Sequence, residues 1–219
     1  DDQAERLTAL DRLVLRRADK VIAACAFAAW QLLPLGIEAD VVPWGIESRY
    51  FTARGTDPRW WMKQYGIVGP VVLTVCGLKP RKNLPGLLQT WQTVTKYHPT
   101  ATLAIAGDGP EFSRLVEYAD HFGLLKHRVR FLGRVSEEQK VDLYRHADLY
   151  TILPAVEGFG MTILEAMAAG CPVVTTPTGI AASELQREWS AVIRIGQEYL
   201  AAGAILRLLQ SPDDLERAH

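Results

Sequence analysis

The chain has 219 residues, 48% of them apolar, and its 24 basic and 25 acidic residues give a net charge of -1. This length suits one large domain, or one domain and part of another, and the apolar share is sufficient for a buried core. The balanced charge argues against nucleic acid as a partner, and no apolar run reaches the roughly 18 residues of a membrane-spanning helix.

The three cysteines, Cys25, Cys76 and Cys171, all lie in apolar stretches. An odd number without metal-ligand spacing favours reduced, buried thiols over a disulfide framework, so we expect a cytoplasmic protein. The sequence begins with Asp1 and ends at His219, inside what reads as an unfinished helix. Both ends suggest a piece of a longer protein.

Apolar runs alternate with helix-length amphipathic segments along the chain, which is typical of parallel α/β architecture. Several runs are apolar almost throughout, as expected for strands that are covered on both faces. In one predicted helix, Ser136 and Gln139 have the spacing of a capping box. The predicted strands are 19–25, 40–44, 70–76, 100–107, 128–133, 148–153, 172–176 and 191–195, and the predicted helices are 83–97, 110–123, 136–147, 161–170 and 198–210.

Residues 48–69 break this rhythm with glycine, proline, charged residues and the Trp60–Trp61 pair. We interpret them as a linker. Residues 1–47 are too few to bury a core of their own, so we expect them to be the end of an N-terminal domain. Residues 70–219 should form a Rossmann-like parallel sheet with helices on both faces, incomplete at its C-terminal end.

The stretch EGFGMTILE places Glu157 and Glu165 around a glycine-spaced turn that follows a strand and opens a helix. The first N–H groups of a helix are unpaired and attract anions such as phosphate. Carboxylates accept hydrogen bonds from hydroxyls and repel phosphate. The stretch therefore predicts a ligand with phosphate in the middle and hydroxyl-rich groups at both ends, such as a nucleotide-sugar. The glycine spacing and flanking strands disfavour the alternative of two solvated glutamates.

Three cations, Lys79, Arg81 and Lys82, crowd the start of the helix that begins near Asn83. Cations at this end oppose the helix dipole by about 0.3–1 kcal/mol each. A bound diphosphate would turn this cost into a gain. The pattern favours Lys82 as the phosphate ligand, with Arg81 next and Lys79 weakest; the alternative is a set of solvated surface charges.

A third strand-to-helix loop, at Arg134 and Val135, could offer groups to a nucleobase, although Arg134 is interpreted equally well as a surface charge. No Asp-x-Asp occurs, and no histidine has a partner at metal-ligand spacing. We therefore expect cationic side chains and a helix terminus, rather than a metal ion, to neutralise the diphosphate.

These residues resemble the retaining GT-B glycosyltransferases of the glycosyltransferase group 1 class, whose hallmark is Glu-x7-Glu. The stretch EGFGMTILEAMAAGCPVV carries this motif at Glu157 and Glu165, and GLKPRKN is similar to the basic diphosphate-binding loop of the class. AGDGPE and VRFLGRVS match in order and spacing, and residues 16–51 resemble the end of the N-terminal domain of the class. The resemblance covers nearly the whole chain.

The resemblance implies sugar transfer from a UDP-, GDP- or ADP-sugar donor with retention of configuration and without a metal or other cofactor. It gives Glu157 and Lys82 catalytic roles, the first on the donor sugar and the second, with Arg81, on the leaving diphosphate. Glu165 would bind the ribose hydroxyls. The remaining donor contacts that it implies are the backbone at Phe159, Gly160, Met161 and Thr162, and the loop at Arg134 and Val135 for the base.

The sequence also departs from the class. The second basic residue that many relatives have after the first strand is replaced by Cys76-Gly77-Leu78, so Lys79 or Arg81 must compensate. Most of the N-terminal domain is absent, and with it the site of the unknown acceptor. This chain is therefore expected to bind a donor but not to turn over alone, and the full-length protein could associate with the inner face of the membrane. The alternatives are a non-catalytic nucleotide-sugar-binding module, or a sugar phosphorylase or epimerase of similar fold.

Overall fold

The centre of the chain is a six-stranded sheet in which all strands run parallel. The computed structural model describes residues 9–52, 60–125, 127–185, 190–197 and 199–210. The strands follow the spatial order β5–β4–β3–β6–β7–β8. Their bounds are β3 Val71–Val75, β4 Thr102–Ala106, β5 Val129–Gly133, β6 Leu149–Ile152, β7 Val173–Thr175 and β8 Ser190–Val192.

Helices cover the sheet. The helix Leu84–Tyr97 packs against the helices Phe112–His121 and Tyr199–Gln210. The helix Glu137–His146 packs against the helix Met161–Ala168. The predicted α/β class, a parallel Rossmann-like sheet flanked by helices, is confirmed. The bounds are α5 Leu84–Tyr97, α6 Phe112–His121, α7 Glu137–His146, α8 Met161–Ala168 and α9 Tyr199–Gln210.

The central strands are buried along their whole length, which explains their nearly continuous apolar sequence. Every residue of β3 and β4 is buried. Trp91 of α5 is completely buried, and its indole N–H donates to the carbonyl of Arg128 at 2.7 Å. The predicted capping box at the start of α7 is confirmed, since Ser136 and Gln139 bond each other's backbone N–H. Local sequence and tertiary packing therefore agree in this part of the chain.

The N-terminal part forms a second, two-stranded parallel sheet with short helices around it. Its strands are shorter than predicted because they pair only with each other among the described residues, and Pro43 lacks the N–H needed to prolong the second. The elements are α1 Ala9–Arg17, β1 Ile22–Ala23, α2 Ala26–Leu32, a 3₁₀ turn at Leu33–Leu35 and β2 Asp40–Val41.

The predicted linker contains two short helices, α3 Arg49–Thr52 and α4 Trp60–Tyr65. Residues 53–59 and the side chains of the Trp60–Trp61 pair lie outside the described part of the chain. Cys25 and Tyr50 are buried and join the same core as the central sheet. The N-terminal part therefore packs on the main sheet, and the boundaries of the domains stay a prediction.

The strand order reverses between β3 and β6, because β3 continues to β4 on one side and β6 continues to β7 on the other. Open α/β sheets bind ligands in the crevice at the carboxyl ends of such a pair of strands. The loop after β3 carries Lys82, and the loop after β6 carries Glu157. Of the helices that the structure describes, none is sufficiently long and apolar to cross a membrane.

Candidate functional site

The loop after β3 turns sharply before α5 begins. Residues Pro80–Lys82 form a 3₁₀ turn, and Asn83 adopts a left-handed conformation with φ 50° and ψ 41°. Asparagine tolerates this conformation better than most residues, and Pro85 is suited to the first turn of a helix. The carbonyl of Arg81 accepts a hydrogen bond at 2.9 Å from the N–H of Ala155, so this loop is attached to the loop after β6.

The loop after β6 leads into α8 through Gly160, the N-cap, which has φ 98°. Only glycine adopts this conformation without strain. The carbonyl of Gly160 accepts from Ile163 and Leu164, whereas the first N–H groups of a helix have no partner within it. The carbonyl of Phe159 accepts at 2.8 Å from the N–H of Ile180, so the loop after β7 supports this turn.

Lys82 and Glu157 form an ion pair through Nζ and Oε2. Their side chains are only 9% and 13% exposed, so solvent screens this pair weakly. Arg81 approaches the other carboxylate oxygen of Glu157 at 3.4 Å, and the same nitrogen lies 3.4 Å from the carbonyl of Val156. The structure thus brings two predicted cations and one predicted carboxylate together at the switch point of the sheet.

A cleft of about 900 Å³ lies between the N-terminal part and the carboxyl edge of the main sheet. Its described lining carries three cations and one carboxylate, which leaves a net charge of +2. This charge and the start of α8 favour an anionic ligand. The ring of Trp44, 5.2 Å from the ring of Phe159, forms part of the wall. The lining residues that were predicted from sequence are Arg81, Lys82, Glu157, Phe159, Gly160, Met161 and Thr162.

Glu165 lies on α8, behind the cleft lining, and is 6% exposed. Its Oε1 accepts from Nζ of Lys140 at 3.0 Å, and its Oε2 accepts from the hydroxyl of Tyr144 at 2.9 Å. Both donors lie on α7, four residues apart, and therefore on one face of that helix. Burial raises the pKa of Tyr144 well above its usual value, so the phenol stays a proton donor.

Two further groups beside the cleft remain protonated at neutral pH. Burial raises the pKa of the Cys76 thiol to about 11, although Lys82 counteracts this effect. Burial also raises the pKa of Tyr150, whose hydroxyl lies 2.8 Å from Oγ1 of Thr162 and 3.3 Å from the carbonyl of Val75. Thr162 is therefore fixed at the start of α8 by a neutral phenol.

Two of the predicted cations lie away from this cluster. Arg134 is 85% exposed and faces Asp108, with 3.6 Å between the closest nitrogen and oxygen. The second cation, Lys79, is also exposed. The described residues that line the cleft do not include Lys79, Arg134 or Val135. Their suggested ligand contacts stay predictions.

Sequence reasoning missed the partners of Glu165 and part of the cleft wall. Lys140 and Tyr144 look like ordinary residues of an amphipathic helix, since their role depends on how α7 packs on α8. Arg12 and Trp44 line the cleft from the N-terminal part. A Lys–x3–Tyr spacing in the helix before β6 was the one available signal, and it is weak by itself.

The parallel sheet and the cationic cleft at its switch point define an α/β protein built to hold an anionic ligand. Residues 61–219 match the family described as glycosyl transferases group 1, and the chain belongs to this family. The predicted resemblance to glycosyltransferases is thereby confirmed.

Two bacterial relatives are each 31% identical to this chain. Mannosylfructose-phosphate synthase of Agrobacterium fabrum matches over 148 residues, 64% of this chain and 32% of that protein. Phosphatidyl-myo-inositol mannosyltransferase of Mycobacterium leprae matches over 186 residues, 83% of this chain and 47% of that protein. The chain thus spans about a third of the first relative and about half of the second.

A solved structure with the same fold is that of Anabaena Alr3699/HepE in complex with UDP and glucose. It superposes with a TM-score of 0.83 at 24% identity, over 94% of this chain and 57% of that one. At this identity the likeness establishes the shared GT-B fold.

Proposed function

We propose that this chain supplies the donor site of a retaining glycosyltransferase, which transfers a sugar from a UDP-, GDP- or ADP-sugar to an acceptor. The observation that carries the proposal is the meeting of Lys82 and Glu157 at the switch point of the sheet, beside the start of α8. A cation for diphosphate and a carboxylate for sugar hydroxyls lie side by side there. A nucleotide-sugar presents these two groups next to each other.

Lys82 and Arg81 are suited to the diphosphate. Both line the cleft, and Gly160, Met161 and Thr162 at the start of α8 belong to the same lining. Arg81 takes the place of the second basic residue that the sequence lacks after β3, because Lys79 is exposed and outside the described lining. When the bond between the anomeric carbon and the diphosphate oxygen breaks, negative charge grows on the leaving group, and these groups stabilise it. No metal ion takes part in this proposal.

Glu157 changes partners in this proposal. In the free protein its carboxylate holds Lys82 and contacts Arg81. The diphosphate would take over both cations, and the freed carboxylate would accept hydrogen bonds from the donor sugar. Glu157 would then also face the positive charge that develops on the sugar ring in the transition state.

The nucleoside would occupy the far end of the site. Glu165, already buried and oriented by two donors, would accept the ribose hydroxyls. The loop at Arg134 and Val135 would meet the base. The structure of Anabaena Alr3699/HepE with UDP and glucose supports UDP-sugars among the three donor classes.

The acceptor site and part of the catalytic machinery would lie outside this chain, which spans half or less of the two relatives. We therefore propose that residues 1–47 are the end of an N-terminal domain, that 48–69 connect it to the donor domain 70–219, and that this chain alone does not turn over. The buried free thiols of Cys25, Cys76 and Cys171 support a cytoplasmic location. Association with the inner membrane face remains part of the proposal, supported by the phosphatidyl-myo-inositol mannosyltransferase relative.

Calorimetric titration with UDP, GDP and ADP, and then with their glucose and mannose conjugates, tests the donor site. Selective binding of one nucleotide, which Lys82→Ala weakens, is the expected result. Absence of binding by all of them would contradict the donor-site assignment for this chain.

Incubation of the complete protein with the selected donor separates the activities, and NMR of the anomeric proton reports the configuration of the product. An α-linked product from an α-linked donor supports retention. Release of sugar phosphate on addition of inorganic phosphate would indicate a phosphorylase, a changed donor sugar would indicate an epimerase, and binding without turnover would indicate a sensor module.

A further inference from the structure

The buried carboxylate of Glu165 is held by an ammonium group that lies outside the described lining of the cleft. Lys140 donates to its Oε1 at 3.0 Å from the neighbouring helix α7. The side chains of Lys140 and Glu165 are 14% and 8% exposed. A buried carboxylate is strongly disfavoured unless a counter-charge and hydrogen bonds compensate it. Lys140 supplies this charge.

Lys140 is itself fixed by a second carboxylate and by an aromatic ring. Its Nζ lies 2.9 Å from Oε2 of Glu137 and 5.8 Å from the ring centre of Tyr50. The hydroxyl of Tyr50 donates to the same oxygen of Glu137 at 3.3 Å. Burial disfavours the charged form of Lys140, but the hydrogen bonds to Glu137 and Glu165 outweigh it and raise its pKa. The ammonium therefore stays charged and in one place.

The arrangement leaves each oxygen of Glu165 with free acceptor capacity. An ionised carboxylate has about four lone-pair positions, two on each oxygen. Lys140 occupies one position on Oε1, and Tyr144 occupies one on Oε2. Among the contacts of the described residues, one position remains on each oxygen. Two adjacent hydroxyl groups, each donating to a different oxygen, match this remaining pattern.

We propose that Lys140 is a positioning residue of the ribose subsite, which holds the carboxylate of Glu165 so that its two free lone pairs meet the 2′- and 3′-hydroxyls together. The proposal rests on the proposed ribose role of Glu165. Lys140 itself touches neither the nucleotide nor the reacting atoms. Without it, the described donor that remains to the carboxylate of Glu165 is the hydroxyl of Tyr144, and the carboxylate can rotate.

The experiment compares ribose recognition in the complete protein and in two variants of Lys140. UDP, GDP and ADP are each titrated beside their 2′,3′-dideoxy analogues. The dissociation constant of the analogue divided by that of the parent nucleotide reports the contribution of the diol contacts. Lys140→Met should reduce this ratio about tenfold, because the charge-assisted hydrogen bonds between Glu165 and the diol lose their geometry. Lys140→Arg, which keeps the charge, should restore most of it. Lys96→Met, at an exposed lysine in the last turn of α5, is the matched control and should change nothing.

A further readout distinguishes positioning from mere support of the fold. Adding Lys140→Met to Glu165→Gln should leave the ratio of Glu165→Gln unchanged, because both changes act through one carboxylate.

The outcomes separate this inference from the function on which it rests. A wild-type protein that binds no nucleotide, or that binds dideoxy analogues equally well, overturns the ribose role of Glu165 and the inference with it. A wild-type protein that discriminates, together with a Lys140→Met variant that discriminates equally, overturns the inference alone. Thermal melting of each variant shows that the comparison is made on folded protein.

Discussion

Lys82 and Glu157 are 75 residues apart in the sequence, yet their charged groups meet where strands β3 and β6 diverge. Each side chain is almost buried, and each charge is compensated mainly by the other, with Arg81 at 3.4 Å as the remaining partner of Glu157. A partly buried charge whose partner is removed is strongly destabilised. In the proposed donor complex, a diphosphate would therefore compete with Glu157 for Lys82.

Replacing Lys82 by alanine should weaken binding of a nucleoside diphosphate far more than binding of the bare nucleoside. The variant loses a charge-assisted contact to phosphate, which corresponds to about 1.5–3 kcal/mol. Calorimetric dissociation constants for the diphosphate and the nucleoside give the two losses. Lys79→Ala is the matched control, because Lys79 is exposed in the same loop and should change neither. Equal losses for both ligands would remove Lys82 from the diphosphate.

Replacing Glu157 by glutamine should have opposite effects on two related ligands. Without the carboxylate, Lys82 is free in the empty cleft, so the affinity for a nucleoside diphosphate should rise by about 1 kcal/mol, roughly fivefold. The additional affinity contributed by the donor sugar should fall, since the sugar loses an ionised acceptor. The dissociation constant of the diphosphate measures the first effect, and its ratio to that of the nucleotide-sugar measures the second. Glu117→Gln, at an exposed position of α6, serves as the control. A lower diphosphate affinity in Glu157→Gln would contradict the competition between the two anions.

Replacing Glu165 by alanine should weaken nucleoside diphosphate binding by about 1.5–3 kcal/mol, because charge-assisted bonds to the ribose are lost. The same change leaves Lys140 with Glu137 as its remaining carboxylate partner among the described contacts. Thermal melting should accompany the titration, since loss of a buried ion-pair partner also lowers stability. A folded variant with an unchanged dissociation constant would exclude Glu165 from the ribose contact.

The sequence was a good guide where one local pattern determines the structure. The continuous apolar runs predicted β3 and β4, and the spacing of Ser136 and Gln139 predicted the cap of α7, because burial on both faces and capping chemistry leave direct traces in the residue order. The N-terminal strands were predicted too long, since their length depends on pairing partners and not on the strand sequence alone.

The placement of the candidate site residues was predictable to a similar extent, whereas their roles stay predictions. Lys82 and Glu157 stand out because each follows a strand and precedes a helix, and the fold then brings their two loops together. Lys140 and Tyr144 did not stand out, because their contact with Glu165 depends on the packing of α7 against α8. Side-chain contacts between two helices depend on their relative position, which residue spacing within one helix does not encode.

The close approach of the loops after β6 and β7 makes Gly179 sensitive to substitution. Its φ is 57°, and an added Cβ would lie 2.2 Å from the carbonyl oxygen of Phe159. Because backbone atoms must move, Gly179→Ala should lower the free energy of unfolding by about 1–3 kcal/mol and also disturb the turn before α8.

Gly203→Ala is the matched control, because nothing lies within 4 Å of its added Cβ. Since this position is inside α9, alanine should instead stabilise the protein by about 0.5–1 kcal/mol. Chemical denaturation of the two variants measures both effects, and similar values would contradict the steric argument.

Alkaline pH should destabilise the protein through its buried acids, beginning near pH 9. Burial raises the pKa of Cys76 from 9.0 to about 11 and that of Tyr50 from 10.0 to about 12. Between the usual and the raised pKa of each group, the unfolded chain has lost a proton that the folded protein still holds. The free energy of unfolding therefore falls as the pH rises through this range. Below pH 9 these groups cause no change. Each such group contributes a slope of up to about 1.4 kcal/mol per pH unit.

Denaturation curves at several pH values should therefore show a shallower decline between pH 9 and 11 for Cys76→Ala than for the wild type. The slope is the quantity to compare, because loss of a buried side chain also lowers the stability at neutral pH. Parallel declines would mean that the Cys76 thiol ionises as readily in the folded protein as in the unfolded chain.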